Sequence, residues 1–238
     1  MMQTPTELLL ERLSPSNGIS RGESRRVTLE SANAVALQKR SESIGLYCKL
    51  RRAAEVVVVL LACPAALVIL AACAIAIVIL MGRPVLFVQE RIGLNGRKFS
   101  MLKLRSMSTS TTTGSNATAA NDPRITPLGA FLRRFHFDEL PQLWNILTGD
   151  MSFIGPRPEQ PELVAYYRSV IPHYDLRHLV SPGLTGWSQV YFGYAANVHE
   201  TRTKLEYDLY YITNFGLRLD LQIIARTIWI YANPAYVR

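Results

Sequence analysis

The sequence predicts a helix-rich α+β protein in which a small soluble domain is attached to one N-terminal membrane helix. An uncharged apolar run covers Val56–Met81, a hairpin pattern follows it, and helical periodicity dominates most of the remaining chain. As a helix rising about 1.5 Å per residue, the run would measure about 39 Å, more than the ~30 Å hydrocarbon core of a bilayer. The 238 residues also leave room for one soluble domain of about 150 residues.

The pattern divides the chain into a polar N-terminal extension (1–44), a basic flank with the membrane helix (45–82) and the soluble domain (83–238). Pro64 lies inside the apolar run, where a proline removes a backbone hydrogen bond and clashes with the preceding turn, so we expect the helix to break there. Two arrangements stay open. One is a kinked spanning helix, and the other is a re-entrant helix that leaves the bilayer on the side it entered. Basic residues flank both ends of the run, whereas a spanning helix should have them mainly on the cytoplasmic side.

The net charge of +8 suits a nucleic acid, an anionic membrane surface or a phosphorylated substrate. Because the anionic leaflet next to a membrane anchor explains part of this charge, we expect no nucleic-acid partner. Two of the three cysteines lie in the apolar run and none forms a Cys-x-x-Cys motif, which predicts neither a disulfide framework nor a zinc site. A reducing, cytoplasmic setting is expected for the soluble domain.

The first part of the soluble domain has a strand pattern. Apolar and polar residues alternate over 84–107 around Leu94-Asn95-Gly96, which predicts a β-hairpin with an Asn-Gly turn. The Ser/Thr/Ala-rich segment 108–120 that follows is expected to be a mobile loop.

The second part of the domain has helical spacing. It begins with the segment 126–147. One face of this segment carries four apolar residues, Leu128, Phe131, Leu132 and Phe135. Two more amphipathic helices are predicted at 205–215 and 219–231, with Gly216 between them.

A first cluster of candidate functional residues is Asp138-Glu139-Leu140-Pro141-Gln142. Proline is tolerated in the first turn of a helix, so Pro141 predicts a helix that starts just before it and ends at Gly149. Asp138 and Glu139 would then lie in the first turn, where the helix dipole favours negative charge and keeps both carboxylates ionised. Ionised carboxylates suit a nucleophile or a metal ligand, although acidic residues in first turns often serve only to stabilise the helix.

A second cluster is Gly155-Pro156-Arg157-Pro158, in which two prolines hold Arg157 on a stiff, extended backbone. A rigid guanidinium suits bidentate binding of a phosphate or carboxylate. The alternative is a proline-rich turn whose arginine caps a neighbouring helix. Lys103 and Arg105, on a predicted strand, could join Arg157 in an anion site, although such residues are more often solvated surface charges.

Taken together and in this order, several segments resemble the bacterial sugar transferase family, the monotopic phosphoglycosyl transferases that start lipid-linked glycan assembly. The resemblance covers roughly residues 47–232, and its motifs are QERIGLNGRKFSMLKLRSM, DPRITPLGAFLRR, DELPQLWNILTGDMSFIGPRPE, SPGLTGWSQV and YDLYYI. The chain departs from the family pattern at Glu55, where an aspartate is usual, and at His136-Phe137, where Ser-Leu is usual.

The resemblance implies a re-entrant membrane helix broken at Pro64, in a bacterial inner membrane with the catalytic domain on the cytoplasmic face. It implies transfer of a sugar-1-phosphate from a nucleotide diphosphosugar, expected to be a UDP-sugar, to polyprenyl (undecaprenyl) phosphate, with release of a nucleoside monophosphate. Asp138 would attack the sugar-linked phosphorus, and Glu139 would hold Mg²⁺ or assist the acceptor. Lys103 and Arg157 would match the family's lysine and phosphate-binding arginine, with Arg105 as a third candidate phosphate ligand.

Two other functions stay open at this point. One is a membrane-anchored basic adaptor without catalysis, and the other is a nucleotide-sugar hydrolase that shares the phosphate site. The sequence has no readable motif for the sugar, and it leaves open whether the protein forms a homodimer.

Overall fold

A computed structural model describes residues 45–108 and 122–233. The helices, numbered α1 to α7, are Gly45–Met81, Pro127–Arg134, Gln142–Thr148, Pro161–Val170, Trp187–Tyr191, Val198–Asn214 and Leu217–Ala232. The strands, numbered β1 to β4, are Leu86–Ile92, Lys98–Leu104, Ser152–Ile154 and Gly183–Thr185. Short 3-10 turns cover Leu94–Gly96, Phe137–Glu139 and Tyr174–Leu179. The predicted helix-rich α+β class is confirmed.

The predicted extension 1–44 and nearly all of the predicted loop 108–120 lie outside the described residues. The division of the chain at residues 44 and 82 therefore stays a prediction.

Helix α1 has 37 residues and runs through Pro64 without interruption, so the break expected at this proline does not divide the helix. It is long and apolar enough to cross a membrane by length and composition. Most of its apolar side chains, such as Leu61 and Val68, are exposed on the protein surface. Exposed side chains of this kind are typical of a surface in contact with lipid.

The hairpin predicted after the apolar run is confirmed. Strands β1 and β2 pair antiparallel, with Leu86 opposite Leu104 and Ile92 opposite Lys98. At the turn, the N–H of Arg97 donates to the carbonyl of Leu94 at 3.2 Å. Asn95 and Gly96 both have positive φ, 56° and 75°, which is the backbone that an Asn-Gly hairpin turn requires.

The helix predicted over 126–147 forms as two helices, α2 and α3, separated by the 3-10 turn 137–139. Thr126 caps α2, because its Oγ1 accepts the N–H of Gly129 at 3.0 Å. The four apolar residues do not share one environment. Leu128 and Leu132 pack inward, while Phe131 and Phe135 stay about half exposed and contact each other with ring centroids 4.9 Å apart.

The two predicted C-terminal helices are confirmed as α6 and α7. The main core lies around them and includes the fully buried Ile223 and Tyr211. Helix α6 begins at Val198, earlier than predicted, because the side chain of Asn197 caps it by accepting the N–H of Glu200.

Both ends of α1 pack against the soluble domain. Near its start, Val59 joins a buried cluster with Met101 and Ile146. Near its end, Ile77 joins another cluster with Leu132. The long apolar helix therefore packs against one domain at two separate contact sites.

Hydrogen bonds and ion pairs add to the first of these contact sites, the one near Val59. Arg51 donates to the hydroxyl of Tyr211 at 2.9 Å and lies 3.3 Å from the carboxylate of Asp220. Arg52 donates to the carbonyl of Leu147 at 2.7 Å. Glu55, the departure from the family pattern, is buried and accepts the N–H of Phe153 at 3.2 Å.

Candidate functional site

The acidic pair Asp138 and Glu139 lies in the 3-10 turn that connects α2 to α3. The sequence predicts both residues in the first turn of an α-helix, and this is wrong because α3 begins only at Gln142. The chain leaves α2 and turns sharply at His136, whose φ of 55° is left-handed. The two carboxylates are therefore presented by a tight turn rather than by the end of a helix.

Pro141 explains why this segment is not α-helical. In an α-helix the N–H of residue 141 would bond to the carbonyl of Phe137, and proline has no N–H. The N–H of Leu140 donates to that carbonyl instead, at 3.3 Å, which is the spacing of a 3-10 turn. The predicted end of the following helix is confirmed, since Gly149 caps α3 with a φ of 94°.

Glu139 is the anchor of a cluster of charged groups. Its Oε1 atom lies 2.8 Å from Nζ of Lys103 and 2.5 Å from Nη2 of Arg157. Burial alone would raise the pKa of Glu139, but the charges of Arg157 and Lys103 outweigh burial and hold it well below its usual range. Glu139 is therefore a carboxylate at any physiological pH.

Asp138 has a different environment from its neighbour. Its side chain is buried, with 6% of its surface exposed, and its Oδ1 atom has no hydrogen-bond partner within the described part of the chain. Burial raises the pKa of Asp138, with the charge of Lys103 opposing this shift. The pKa values of the two adjacent carboxyl groups are therefore shifted in opposite directions, and the expectation that both are ionised at neutral pH stays a prediction. A buried carboxylate with a raised pKa is more basic than an ordinary one, and this suits a nucleophile or a proton acceptor.

The backbone that carries Arg157 is rigid, as the two prolines predict. The carbonyl of Pro156 accepts the N–H of Gly183 at 2.9 Å, and the carbonyl of Pro158 accepts Nη1 of Arg91 at 3.1 Å. The side chain of Arg157 remains 35% exposed although its Nη2 contacts Glu139. It can therefore bind Glu139 and still reach an anion from solvent.

The same motifs match known proteins. A family model described as Bacterial sugar transferase matches residues 46–234. The chain belongs to the bacterial sugar transferase family. Its relatives include a UDP-N-acetylgalactosamine-undecaprenyl-phosphate N-acetylgalactosaminephosphotransferase from Aeromonas hydrophila, 42% identical over 184 residues, which are 77% of this chain and 44% of that protein.

The chain covers different shares of two other relatives. A UDP-glucose:undecaprenyl-phosphate glucose-1-phosphate transferase from Xanthomonas campestris pv. campestris is 47% identical over 149 residues, 60% of this chain and 31% of that protein. The exopolysaccharide production protein PSS from Rhizobium leguminosarum bv. phaseoli is 41% identical over 152 residues, 61% of this chain and 76% of that protein. The chain thus spans less than half of the first two relatives.

In this member of the sugar transferase family, Arg105 does not join Lys103 and Arg157 in the predicted anion site. Its guanidinium donates to the carbonyls of Met81 and Gly82, both at 2.6 Å, and to the carbonyl of Arg83 at 2.9 Å. These are the carbonyls at and just beyond the end of α1, where a cation is favourable. Arg105 thus caps α1, and the structure offers no support for its predicted role as a phosphate ligand.

Several residues near the acidic pair were not identified from the sequence. Arg133 donates to Ser106 at 2.9 Å, and its charge opposes the rise that burial causes in the pKa of Asp138. Tyr231 packs edge-on against the ring of His136 at 4.7 Å, and burial followed by the nearby charge of Glu139 raises its pKa. Arg133 belongs to an ordinary basic pair in the last turn of α2, and Tyr231 lies in the last turn of α7, so no local pattern distinguishes either residue.

The acidic pair fits a Mg²⁺ ion that is shared with a substrate. Within the described ranges, no group of three or more histidine, cysteine or acidic residues is arranged to hold a metal ion. Mg²⁺, however, is commonly held by one or two carboxylates together with substrate phosphates and water. Ionised Glu139 and Oδ1 of Asp138 provide donors of this type.

Proposed function

We propose that this family member is a phosphoglycosyl transferase that moves a sugar-1-phosphate from a UDP-sugar to polyprenyl phosphate, specifically undecaprenyl phosphate, and releases UMP. The proposed product is the first lipid-linked intermediate of a glycan such as an exopolysaccharide. The observation that carries the proposal is the pairing of a buried, basic carboxylate, Asp138, with a fixed Glu139–Lys103–Arg157 cluster on a domain attached to an apolar helix. The names of the relatives support the choice of donor and acceptor.

In the proposed first step, a carboxylate oxygen of Asp138 attacks the phosphorus that bears the sugar. The new bond joins Asp138 to that phosphorus, and the bond between the phosphorus and the oxygen bridging to the nucleotide breaks. UMP leaves with the electron pair and carries its charge on the departing oxygen. The raised pKa of Asp138 supports this role, because a more basic carboxylate is a better nucleophile once it is deprotonated.

In the proposed second step, an oxygen of polyprenyl phosphate attacks the same phosphorus. The bond to Asp138 breaks and its carboxylate is regenerated, which leaves a polyprenyl-diphosphate-sugar. Arg157 and Lys103 would bind the phosphate oxygens while Glu139 holds both cations in position. Mg²⁺ held by Glu139 and the donor diphosphate would neutralise charge that develops on the leaving group.

Intact-protein mass spectrometry with the donor alone tests this order of steps. A phosphosugar adduct should appear on the wild type and be absent from Asp138→Asn. A direct attack by polyprenyl phosphate in a ternary complex would instead give intersecting initial-rate lines and no adduct after rapid quenching, and that result would overturn the nucleophile assignment.

A release assay separates the enzyme from its two alternatives. UMP release that stops when EDTA removes Mg²⁺ would exclude a non-catalytic adaptor. UMP release that also requires added polyprenyl phosphate for more than one turnover would exclude a nucleotide-sugar hydrolase. A panel of UDP-sugars in the same assay would identify the sugar.

We also propose that α1 is re-entrant, bent at Pro64 although the helix continues through this residue, with both ends on the cytoplasmic face of a bacterial inner membrane. The two contact sites of α1 support this, because polar contacts join both of its ends to the same domain. Arg51 of α1 donates to Tyr211 of the domain, and Arg105 of the domain donates to the carbonyl of Met81 at the end of α1. From Glu55 to Met81 a straight helix covers about 39 Å. If α1 spanned the bilayer, its two ends would lie on opposite sides, and the domain that both ends contact would have to reach through the hydrocarbon core. Each charge buried there would cost several kcal/mol.

Cysteine labelling from each side of the membrane tests the topology, with introduced sites near residues 45 and 95 in a background that lacks native cysteines. Labelling of both sites from the cytoplasmic side is expected, and labelling from opposite sides would mean that the helix spans. Crosslinking of the full chain in native membranes would test whether the protein is a homodimer.

A further inference from the structure

The segment that carries Arg157 is held by hydrogen bonds from distant parts of the chain at four successive carbonyl groups. The carbonyls of Pro156 and Pro158 are bound by Gly183 and Arg91, and the carbonyl of Glu159 accepts the N–H of Ile92 at 3.0 Å. The carbonyl of Arg157 itself is bound by a side chain, since it accepts Nη2 of Arg177 at 3.0 Å. Arg177 thus contacts the backbone of the proposed phosphate-binding residue directly.

Arg177 is itself fixed by a buried ion pair. Its Nη2 lies 2.9 Å from Oδ2 of Asp208, and its Nη1 donates to the hydroxyl of Tyr174 at 2.8 Å. The second carboxylate oxygen of Asp208 accepts the hydroxyl of Ser188 at 2.6 Å. Only 3% of the Arg177 side chain and 2% of the Asp208 side chain are exposed to solvent.

A buried ion pair adds little net stability to a core, because removing both charges from water offsets their attraction. Replacing a buried ion pair by well-packed apolar residues is often neutral or stabilising, so its presence indicates a need for defined geometry more than for stability. Here the planar guanidinium also contacts the segment that carries Arg157, because Nη2 donates to the carbonyl of Arg157 and Nη1 lies 3.8 Å from Oε1 of Glu159. A lysine could not make these contacts at once, because it is a point charge without the rigid fork of arginine.

We propose that Arg177, oriented by Asp208 and Ser188, is a positioning residue that fixes the backbone of Arg157 and so aims its guanidinium at the donor diphosphate. This proposal rests on the proposed function for its substrate. It predicts that Arg177 affects phosphate binding and turnover only through Arg157.

A double-mutant cycle in the full-length protein tests the proposal. We expect Arg177→Lys to reduce kcat/KM for UMP release by roughly 10- to 100-fold, since a displacement of about 1 Å at a reacting group can cost 100-fold. We expect it also to weaken the binding of UDP measured by titration calorimetry. In an Arg157→Ala background, however, Arg177→Lys should change neither quantity by more than about twofold, because residues that act through one another are not additive.

Two further variants control for loss of stability. Ile212→Val removes a buried methyl group one helical turn beyond Asp208 and leaves the hydrogen bonds of Arg177 in place. It should lower the melting temperature and leave kcat/KM unchanged in both backgrounds. If Arg177→Lys does not fold, Ser188→Ala tests the same idea, because it releases one oxygen of Asp208 and should show a smaller but equally non-additive effect.

The outcomes separate this proposal from the proposed function. Equal effects of Arg177→Lys with and without Arg157 would overturn the positioning role even if the protein is an active transferase. A non-additive cycle in UDP binding without any transferase turnover would retain the positioning role and refute the proposed reaction.

Discussion

Replacing Asp138 with asparagine and, separately, Glu139 with glutamine removes one carboxylate charge from each of two adjacent residues of the same turn. Glu139 is paired with Lys103 and Arg157, whereas Oδ1 of Asp138 lacks a partner among the residues that the structure describes. We therefore expect Glu139→Gln to destabilise the folded protein at pH 7 and Asp138→Asn to stabilise it.

The size of each effect follows from these contacts. Removing one partner of a fully buried ion pair costs about 3–5 kcal/mol. The Lys103 and Arg157 side chains are 19% and 35% exposed, so water compensates part of the loss, and we expect about 2–3 kcal/mol for Glu139→Gln. Asp138→Asn removes the cost of a buried charge and should give about 1 kcal/mol of added stability.

The pH dependence of these effects also differs between the two residues. The pKa of Glu139 is lowered on folding, so its contribution to stability is present above its ordinary pKa of 4.5 and is lost as the pH falls towards the folded value. The pKa of Asp138 is raised on folding, so its charge destabilises the folded state at neutral pH. This destabilisation shrinks as the pH falls below the raised pKa and is gone below the ordinary pKa of 3.8, where Asp138→Asn should match the wild type.

Urea unfolding of the purified full chain in nanodiscs measures both effects. With a slope of about 2 kcal/mol per M, the midpoint should fall by about 1–1.5 M for Glu139→Gln and rise by about 0.5 M for Asp138→Asn. Exposed Glu90, whose carboxylate pairs with Lys98 on the surface, supplies the matched control, and Glu90→Gln should leave the midpoint almost unchanged. If both site variants lower the midpoint equally, the assignment of distinct environments to the two carboxylates is refuted.

Three further outcomes are expected. Arg157→Lys keeps the charge but loses the planar fork, so kcat/KM should fall by roughly 10- to 100-fold in the UMP release assay; wild-type kinetics for this variant would contradict phosphate binding by Arg157. The rate of adduct formation should fall on acidification at a higher pH than for an ordinary aspartate, because burial raises the pKa of Asp138. Rapid-quench measurements over a pH series that begins below the ordinary aspartate pKa of about 3.9 would reveal a normal pKa if this is wrong. Arg105→Ala removes three hydrogen bonds at the end of α1, so it should lower unfolding stability by about 2–4 kcal/mol and leave the KM for the donor unchanged; a raised KM with normal stability would return Arg105 to the phosphate site.

Backbone features were predictable from the sequence because they depend on neighbouring residues. The Asn-Gly turn of the hairpin, the end of α3 at Gly149 and the stiff backbone at Arg157 all follow from the φ preferences of glycine, asparagine and proline. The position of the 3-10 turn was missed, although its cause, the absent N–H of Pro141, is also local.

The environments of the charged groups could not be predicted in this way. Lys103 and Arg105 are two residues apart, yet one binds Glu139 and the other caps the C-terminal end of α1. The partners of Glu139 are 36 and 18 residues away in the sequence. Distances between such groups depend on how β2, the acidic turn and the Arg157 segment pack together.

The sequence by itself determined the apolar helix, the motifs of a bacterial sugar transferase and the residue types available for phosphate chemistry. Only the tertiary structure decided that Glu139 is neutralised by two cations while Asp138 remains buried without a partner for Oδ1 in the described part of the protein. The physical reason is that the pKa of a carboxyl group depends on burial and on charges within a few ångströms, and both are set by segments that are remote along the chain.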